Sequence, residues 1–450
     1  MVDRDRLTEL ATREQARFRA EHPRSEQAFA RGAHLFGRVP MTWMNKTAGA
    51  FPLYLNTAHD ATVTDIDGRQ YDDFALGDTA AMAGHSPAPV VAAVTRRLGE
   101  LGGATAMMPT EDAEWVGAEL TRRFGLTRWS FSLTATDANR WAIRIVRAVT
   151  GRPKILVNSY CYHGSVDESL IVVGPDGEGM SREGNVGAPC DVTATSRVAE
   201  FNDLDGLERQ LAYGDVAAVL MEPALTNVGI VLPEPGYLDG VWDSTRRHGT
   251  LLIIDETHTF SAGPGGCCRE WDLEPDLVVI GKAIGGGIPA GAYGMSAEFA
   301  DRALGRADLD LVDMGGVGGT MAGSALSVAA MRATLEHVLT DDAFTTMIAL
   351  ATRYADGISA AFAEHRAPWS VSRLGARTEY RFRPQAPRTG TESHRAADEQ
   401  LDDFVHLYLA NRGVLMTPFQ AMALMSPVTT VEQADHCVAV TSEAVGELLA

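Results

Sequence analysis

The chain has 450 residues, of which 45% are hydrophobic and 22% are charged, so it has enough apolar side chains for two packed domains. Its formal net charge is −20 at pH 7, and because phosphate backbones and anionic lipid headgroups repel such a surface, we expect neither a nucleic-acid partner nor a membrane. Five cysteines without a C-x-x-C pair are too few for a disulfide framework and indicate a reducing compartment, which we expect to be the cytoplasm.

The predicted elements begin with a helix and a hairpin. Residues 4–31 mix charged with spaced apolar side chains, which predicts a partly exposed helix that acts as an arm. Between residues 51 and 74 the pattern alternates around the turn pair Asp67-Gly68, and this alternation predicts a β-hairpin. Nowhere does an apolar run reach the length of about 18 residues that a membrane-spanning helix needs.

From about residue 90, helical stretches alternate with short apolar runs, at residues 129–133, 154–157, 217–221, 251–254 and 277–280. Strands that are apolar on both faces and separated by helices predict an α/β fold with a parallel sheet covered on two sides. A helical pattern over residues 322–339 then leads to a smaller α+β region. We therefore divide the chain into an N-terminal arm and small-domain segment (1–60), a large domain (61–334) and a C-terminal small domain (335–450).

Two of the buried strands end in side chains that carry chemistry. Asp255 follows the run 251–254 and Lys282 follows the run 277–280, and ligands of open α/β sheets bind beyond the carboxyl ends of the strands. A lysine amine loses its proton readily when it is desolvated, which suits it to forming an imine with a carbonyl. Each residue taken alone also has a purely structural interpretation. Asp255 could cap the next helix, and Lys282 could extend from the strand end to solvent.

Other segments have the pattern of an anion site or an aromatic wall. Residues 134–138 (Thr-Ala-Thr-Asp-Ala) open an amphipathic helix, and amides and hydroxyls at a helix N-terminus bind phosphate. Simple capping by Thr134 is the alternative there. Tyr162 offers a ring just after the run 154–157, and the glycine-rich loop 315–319 ends in the hydroxyl of Thr320.

A phosphate cradle, an imine-forming lysine, a carboxylate for a protonated pyridine nitrogen and a stacking ring are together what pyridoxal 5'-phosphate (PLP) requires. From about residue 35 to the C-terminus the sequence resembles the class III aminotransferases, PLP-dependent enzymes of fold type I that include glutamate-1-semialdehyde aminomutase and omega-aminotransferases. The resemblance implies a large domain with a mostly parallel seven-stranded sheet covered by helices, a smaller α+β C-terminal domain, and a homodimer with shared active sites.

The resemblance also implies roles for individual residues. Lys282 is the Schiff-base lysine and Asp255 the partner of the pyridine nitrogen, and these two are the predicted catalytic residues. The other residues that it implies for cofactor binding are Thr134, Ala135, Thr136, Tyr162, Thr257, His258, Gly319 and Thr320.

Several of these residues have a particular place in that scheme. Tyr162 is expected to cover the ring and Thr257 to lie against its face. His258 is expected near the phenolic oxygen. Thr320 corresponds to a threonine that reaches the phosphate of the neighbouring subunit.

Three positions depart from the family's pattern. Ala135 replaces a glycine of the phosphate loop, and His258 brings a titratable ring to the phenolic oxygen. In an alignment by hand, the arginine that some members use for a substrate carboxylate falls on Trp43. We therefore predict that Trp43, Arg38 and Met41 bind the substrate, with Arg38 as the alternative source of positive charge.

Other function classes lack their motifs in this sequence. No G-x-G-x-x-G follows the first strand, as a nicotinamide enzyme requires, and Ala283 stands where a P-loop has Ser or Thr. Residues 84–88 lack the closing glycine of a serine hydrolase's nucleophile elbow, and the histidines lack metal-ligand spacing, so we expect no metal. A non-catalytic structural relative is the rival from another class, and the presence of both Lys282 and Asp255 argues against it.

The sequence thus predicts a PLP-dependent aminotransferase that moves an amino group from an amino donor to a keto acid or aldehyde acceptor by a ping-pong mechanism. A 1,2-aminomutase, an amino-acid epimerase and a decarboxylase remain open alternatives, because all begin with the same bond between substrate and cofactor. We expect the partners to be these small molecules and a second copy of the chain.

Overall fold

The computed structural model describes residues 2–187, 190–306 and 315–450. These residues form two compact units. The sheet unit comprises Ala88–Phe344 and Pro387–Arg395, and the terminal unit comprises Met1–Pro87, Thr345–Ala386 and Ala396–Ala450.

Short strands and longer helices alternate through most of the described chain. The strands are β1 (Leu55–His59), β2 (Thr62–Asp65), β3 (Gln70–Asp73), β4 (Arg128–Ser132), β5 (Lys154–Asn158), β6 (Ile171–Val173), β7 (Gly179–Ser181), β8 (Ser196–Ala199), β9 (Val216–Met221), β10 (Leu251–Asp255), β11 (Leu277–Ile280), β12 (Gly291–Met295), β13 (Ser370–Leu374), β14 (Arg377–Arg381), β15 (Val414–Leu415) and β16 (Met422–Leu424). The α-helices are α1 (Arg4–Glu21), α2 (Pro23–Arg31), α3 (Ala88–Arg96), α4 (Glu111–Phe124), α5 (Ala135–Thr150), α6 (Leu204–Leu211), α7 (Tyr237–His248), α8 (Gly266–Glu270), α9 (Ala297–Leu304), α10 (Ala325–His337), α11 (Asp341–Glu364), α12 (Gly390–Arg395), α13 (Glu399–Ala410) and α14 (Val431–Leu449). None of the described helices is both long and apolar enough to cross a membrane.

A seven-stranded sheet forms the centre of the sheet unit, in the order β4-β12-β11-β10-β9-β5-β8. Strand β12 is antiparallel to its neighbours β11 and β4, and the other neighbouring pairs are parallel. The five predicted apolar runs correspond to β4, β5, β9, β10 and β11, so the predicted mostly parallel sheet is confirmed. The sequence analysis missed β12, whose two glycines weaken the strand signal, and β8.

Burial explains why these residues form a central sheet. Every residue of β9, β10 and β11 is buried, as expected for strands that are covered on both faces. Strands β4, β5, β9, β10 and β11 run in the same direction, so their carboxyl ends share one edge of the sheet. The predicted residues Thr134, Tyr162, Asp255 and Lys282 all lie at this edge, where ligands of such sheets bind.

The terminal unit has two sheets of its own, with strand orders β1-β2-β3-β15 and β13-β14-β16. The predicted hairpin is present as β2 and β3, and Gly68 in its turn has a φ of +88°. Because β15 pairs with β3, residues 61–87 group with the C-terminal segment. The compact units therefore change over at residues 87/88 and 344/345, whereas the sequence places domain boundaries at 60/61 and 334/335.

The predicted N-terminal helix forms as α1 and α2, which are separated at His22 because Pro23 begins a new helix. Phe18 of α1 packs against Phe51 and Leu407, and all three side chains are buried. The apolar face of α1 is thus covered within its own unit.

This packing gives a stability prediction. We expect Phe18→Ala to destabilise the protein by about 3–5 kcal/mol, because it removes a buried ring and leaves a cavity. Phe36→Ala is the matched control, since that ring is 90% exposed and its loss should change the free energy by less than about 0.5 kcal/mol. Thermal melting of the two variants beside the parent chain measures the difference, and equal melting temperatures would contradict the prediction.

Candidate active site

Asp255, the last residue of β10, presents a buried carboxylate at the sheet edge. Its Oδ2 accepts hydrogen bonds from His163 Nδ1 at 2.9 Å and Asn139 Nδ2 at 2.8 Å, and its Oδ1 accepts one from the Thr257 amide at 3.0 Å. Burial by itself raises the pKa of Asp255, but these donors outweigh it and hold that pKa below its ordinary value. The carboxylate is therefore ionised and held in one orientation.

His163 is the positive partner of this carboxylate. Its ring is fully buried, which by itself lowers the pKa of His163, but the adjacent Cys161 and Asp255 raise that pKa well above its usual value. Asn139 also donates to the His163 carbonyl at 3.2 Å, and so connects α5 to the loop after β5. Neither His163 nor Asn139 was predicted as a site residue, and the signal for Asn139 is a polar residue among the apolar positions of α5.

Lys282 directly follows Gly281 at the end of β11, with a φ of +47° that is uncommon for a residue with a side chain. Its Nζ lies 2.7 Å from Nε2 of His258, which is buried. A Cβ atom on Gly281 would lie only 2.9 Å from the Ala135 amide nitrogen. The end of β11 and the start of α5 therefore pack backbone against backbone, which brings the lysine and the predicted phosphate loop together.

The N-terminus of α5 combines a cap with outward-facing amides. The Thr134 hydroxyl accepts the Asp137 amide at 3.1 Å and donates to the Asp137 carboxylate at 2.9 Å, so the capping alternative for this hydroxyl is observed. The amides of Ala135 and Thr136, the first two of the helix, have no carbonyl partner within the helix and face outward. An anion at this place would be bound by amides and the positive end of the helix dipole.

A second close approach shapes the same loop. A Cβ on Gly164 would lie 2.0 Å from the Thr136 hydroxyl, and Gly164 has a φ of +80°, so only glycine fits there. The Thr136 hydroxyl accepts the Ser165 amide at 3.2 Å. The loop after β5 is thus fixed against the start of α5.

The remaining predicted cofactor residues differ in their surroundings. Thr257 is buried beside Asp255, and Tyr162 is 42% exposed in the loop after β5. Gly319 and Thr320 lie in an exposed loop, and the Thr320 side chain has no hydrogen-bond partner among the residues that the structure describes.

The three predicted substrate-binding residues are exposed side chains of the terminal unit. Trp43 packs edge to face against Phe419, with ring centroids 6.3 Å apart. The Arg38 guanidinium lies 5.7 Å from the ring centre of Phe29, and Met41 is 52% exposed. Phe419 was not predicted, and its signal is its place within the apolar, Met-rich stretch 414–425.

The sheet edge fits PLP on the chemistry of its own atoms. Within the described chain, Thr257 Oγ1, His163 Nε2 and Asn139 Oδ1 are buried and have no hydrogen-bond partner, although each residue touches Asp255. A buried polar atom without a hydrogen-bond partner is unfavourable, so these three atoms are suited to bind a further polar group. The outward amides suit a phosphate, the ionised carboxylate suits a protonated ring nitrogen, and the lysine amine suits an aldehyde.

Known proteins resemble this chain in sequence and in overall fold. A family model described as Aminotransferase class-III matches residues 43–445. The crystal structure of a glutamate-1-semialdehyde-aminomutase from Pseudomonas aeruginosa PAO1, a lysine-to-alanine variant in complex with PMP, has a TM-score of 0.96 and 46% sequence identity over 99% of each chain. Glutamate-1-semialdehyde 2,1-aminomutase from Anaeromyxobacter dehalogenans (strain 2CP-C) is 32% identical over 408 residues, which are 89% of this chain and 92% of that protein. An omega-transaminase from Sphaerobacter thermophilus has a TM-score of 0.85 and 28% identity, over 94% of this chain and 97% of its own.

The buried pair of His163 and Asp255 gives a second prediction. We expect His163→Leu to lower the free energy of unfolding by about 3–5 kcal/mol, because it leaves a buried carboxylate without its cation. His163→Gln should cost less, since an amide still donates to Asp255. His248→Leu is the control, because His248 pairs with Glu208 in a partly exposed position.

The cost of His163→Leu should depend on pH with a definite sign. Because the pKa of His163 is raised in the folded protein, its charge contributes fully to the free energy of unfolding below about pH 6.5. This stabilisation is lost as the pH rises through the raised pKa. Because the pKa of Asp255 is lowered in the folded protein, its ionised carboxylate contributes fully to the free energy of unfolding above about pH 4. This stabilisation is lost as the pH falls through the lowered pKa. Denaturant unfolding across pH should show the largest difference between parent and variant from about pH 4 to 6.5, and a difference independent of pH would contradict the ion pair.

Proposed function

The chain belongs to the class III aminotransferases, a family of PLP-dependent enzymes, and from this premise we propose that it is an aminomutase that moves an amino group between neighbouring carbon atoms of one substrate molecule. The sequence analysis preferred transfer between a separate donor and acceptor and kept a 1,2-aminomutase as an alternative. The alternative has the stronger support, because relatives at 46% and 32% identity both carry the name glutamate-1-semialdehyde aminomutase. The observation that carries the proposal is the 46% identity over 99% of both chains.

The chemistry of the proposal depends on two side chains at the sheet edge. PLP supplies an electron-accepting ring that stabilises negative charge on the carbon next to the bound nitrogen. Asp255, ionised and held by His163 and Asn139, would keep a proton on the ring nitrogen. Lys282 Nζ would hold the cofactor before the substrate arrives, and would then remove and return the proton at the substrate carbon.

The other predicted residues would bind and orient the cofactor. The amides of Ala135 and Thr136 would bind the phosphate, with Thr134 shaping the turn through its cap. Thr257, buried and with an unpartnered hydroxyl among the described residues, would lie against the ring, and Tyr162 would cover it. His258 would stand beside the lysine, and Gly319 and Thr320 would serve the phosphate site of a second copy.

Two further parts of this proposal concern assembly and location. A homodimer with shared sites is supported by exposed apolar side chains such as Met107 (80%) and Met108 (72%), which a partner surface would cover. A cytoplasmic location is supported by the cysteines, since all five are free thiols.

The decisive test is whether one substrate is sufficient. Two amino aldehydes are tested: glutamate 1-semialdehyde, the compound that the relatives' names contain, and one with an apolar side chain. Whichever of them the cofactor-loaded protein turns over should be isomerised with no keto acid or second aldehyde added. A transaminase would instead need a separate acceptor for continued turnover. Chromatography of the product after many turnovers distinguishes the two outcomes, and turnover that stops without an added acceptor would return the assignment to the transaminase.

The covalent site has its own control. The chain contains only three lysines, Lys46, Lys154 and Lys282, so borohydride reduction of the cofactor-loaded protein followed by peptide mass spectrometry reads each one separately. We expect the label on Lys282 and no label in Lys282→Ala, whereas Lys154→Ala should be labelled like the parent chain. A label on Lys154 or Lys46 in the parent chain would contradict the site.

The alignment by hand, which places the arginine of some family members at Trp43, gives a specificity prediction. Trp43 and Phe419 offer an apolar surface, so we propose that the substrate carries an apolar group where those members recognise a carboxylate. Trp43→Arg should then shift the ratio of kcat/KM toward glutamate 1-semialdehyde, relative to an amino aldehyde with an apolar side chain, by about 10- to 100-fold, as expected for a hydrogen bond to a charged group. Phe36→Arg, which adds the same charge at another exposed position, should leave the ratio unchanged.

A further inference from the structure

The proposed function gives His258 no defined task, yet its side chain contacts the lysine directly. Its Nε2 lies 2.7 Å from Lys282 Nζ, and only 4% of the residue is exposed. The two residues follow neighbouring strands, β10 and β11, which pair in parallel up to Asp255 and Val279. The contact is therefore built into the sheet edge, with both nitrogens placed by the strands that also place the carboxylate.

Physical chemistry restricts how this pair carries protons. A hydrogen bond between two nitrogens needs a hydrogen on one and a lone pair on the other. An amine carries hydrogens in both of its states, so Lys282 Nζ donates to Nε2 in the imidazole tautomer whose hydrogen is on Nδ1. Protonation of both nitrogens would place two positive charges 2.7 Å apart, which is strongly unfavourable. In that tautomer the neutral imidazole directs the Nε2 lone pair at Nζ, whether the amine carries two hydrogens or three.

Resting on the proposed function, we propose that His258 is the proton acceptor of Lys282 each time the lysine forms its bond to a carbonyl carbon. The step starts from the neutral amine, whose Nζ lone pair forms the new C–N bond while the carbonyl π electrons move to the oxygen. This leaves a positive charge on Nζ. The Nζ–H bond breaks as the Nε2–H bond forms, so the proton moves to His258 and nothing is oxidised or reduced. In the reverse direction Nε2 returns the proton when the lysine leaves.

A structural role and an acid-base role for His258 predict different behaviour in conservative variants. An Asn or Gln side chain also accepts a hydrogen bond from Nζ, but its amide does not take up a proton at neutral pH. If His258 only positions the lysine, Lys282 in these variants should capture a carbonyl as fast as in the parent chain. If His258 accepts the proton, the Asn and Gln variants should capture a carbonyl on Lys282 more slowly. Free imidazole supplied to His258→Ala should then restore part of the capture rate.

The experiment follows how fast Lys282 captures PLP. The full chain is freed of cofactor by dialysis against cysteine, mixed with PLP at pH 7, and quenched with borohydride at timed intervals, so that mass spectrometry reports the label on each of the three lysines. We expect capture by Lys282 to be about tenfold slower or more in His258→Asn and His258→Gln, in line with the usual size of general acid-base effects. Imidazole should accelerate His258→Ala several-fold, and His248→Asn, whose histidine contacts Glu208, should behave like the parent chain.

The outcomes separate this inference from the function on which it rests. Less than a threefold change in His258→Asn, or no acceleration of His258→Ala by imidazole, overturns the inference while a label on Lys282 still supports the proposed function. A label on Lys154 or Lys46 in the parent chain overturns the function itself. Unchanged melting temperatures and full final labelling of Lys282 in the variants exclude misfolding as the cause of a slower rate.

Discussion

The buried charge of Asp255 is the constraint on which the sheet edge depends. A carboxylate at the end of a fully buried strand is unfavourable unless donors surround it, and three donors do so: the His163 imidazolium, the Asn139 amide and the Thr257 backbone amide. They come from the loop after β5, from α5 and from the turn after β10. A single ionised group therefore ties three separate parts of the sheet unit to one point, and it does so where the proposed function needs a fixed negative charge.

The neighbouring carboxyl groups show that surroundings rather than residue type set the charge. Glu222 and Glu256 are also fully buried, and burial raises the pKa of each. Glu222 accepts from the Thr226 hydroxyl, and Glu256 accepts the amides of Cys267 and Cys268, but the pKa of neither carboxyl is lowered as that of Asp255 is. Asp255 differs because the His163 cation donates a hydrogen bond directly to it, whereas the charge of His163 only partly offsets the effect of burial on the pKa of Glu222. Of the three buried carboxyl groups, Asp255 is thus the one whose pKa lies below its ordinary value.

Glycine fixes the distances between the elements that carry the site. Gly281 allows the end of β11 to touch Ala135, and Gly164 allows the loop after β5 to touch Thr136. Any side chain at either position would force the lysine, the amide cradle and the loop after β5 apart. These contacts bring Lys282 and the N-terminus of α5 together, although the two are far apart in sequence.

The sequence predicted those parts of the fold and of the site that depend on interactions between residues close together in the chain. Strands β4, β5, β9, β10 and β11, helix α5 and the positions of Asp255 and Lys282 at strand ends were predictable, because local hydrophobic patterns and the order of motifs depend on neighbouring residues. The class III resemblance is confirmed, and the relatives support an aminomutase better than the preferred transaminase. The sequence did not distinguish the two reactions because both use the same side chains. The donation from Asn139 and His163 to Asp255 and the contact of His258 with Lys282 appeared only in the folded chain. Local sequence determines which elements form, whereas hydrogen bonds between side chains on different strands depend on distances that exist only once the sheet has been assembled.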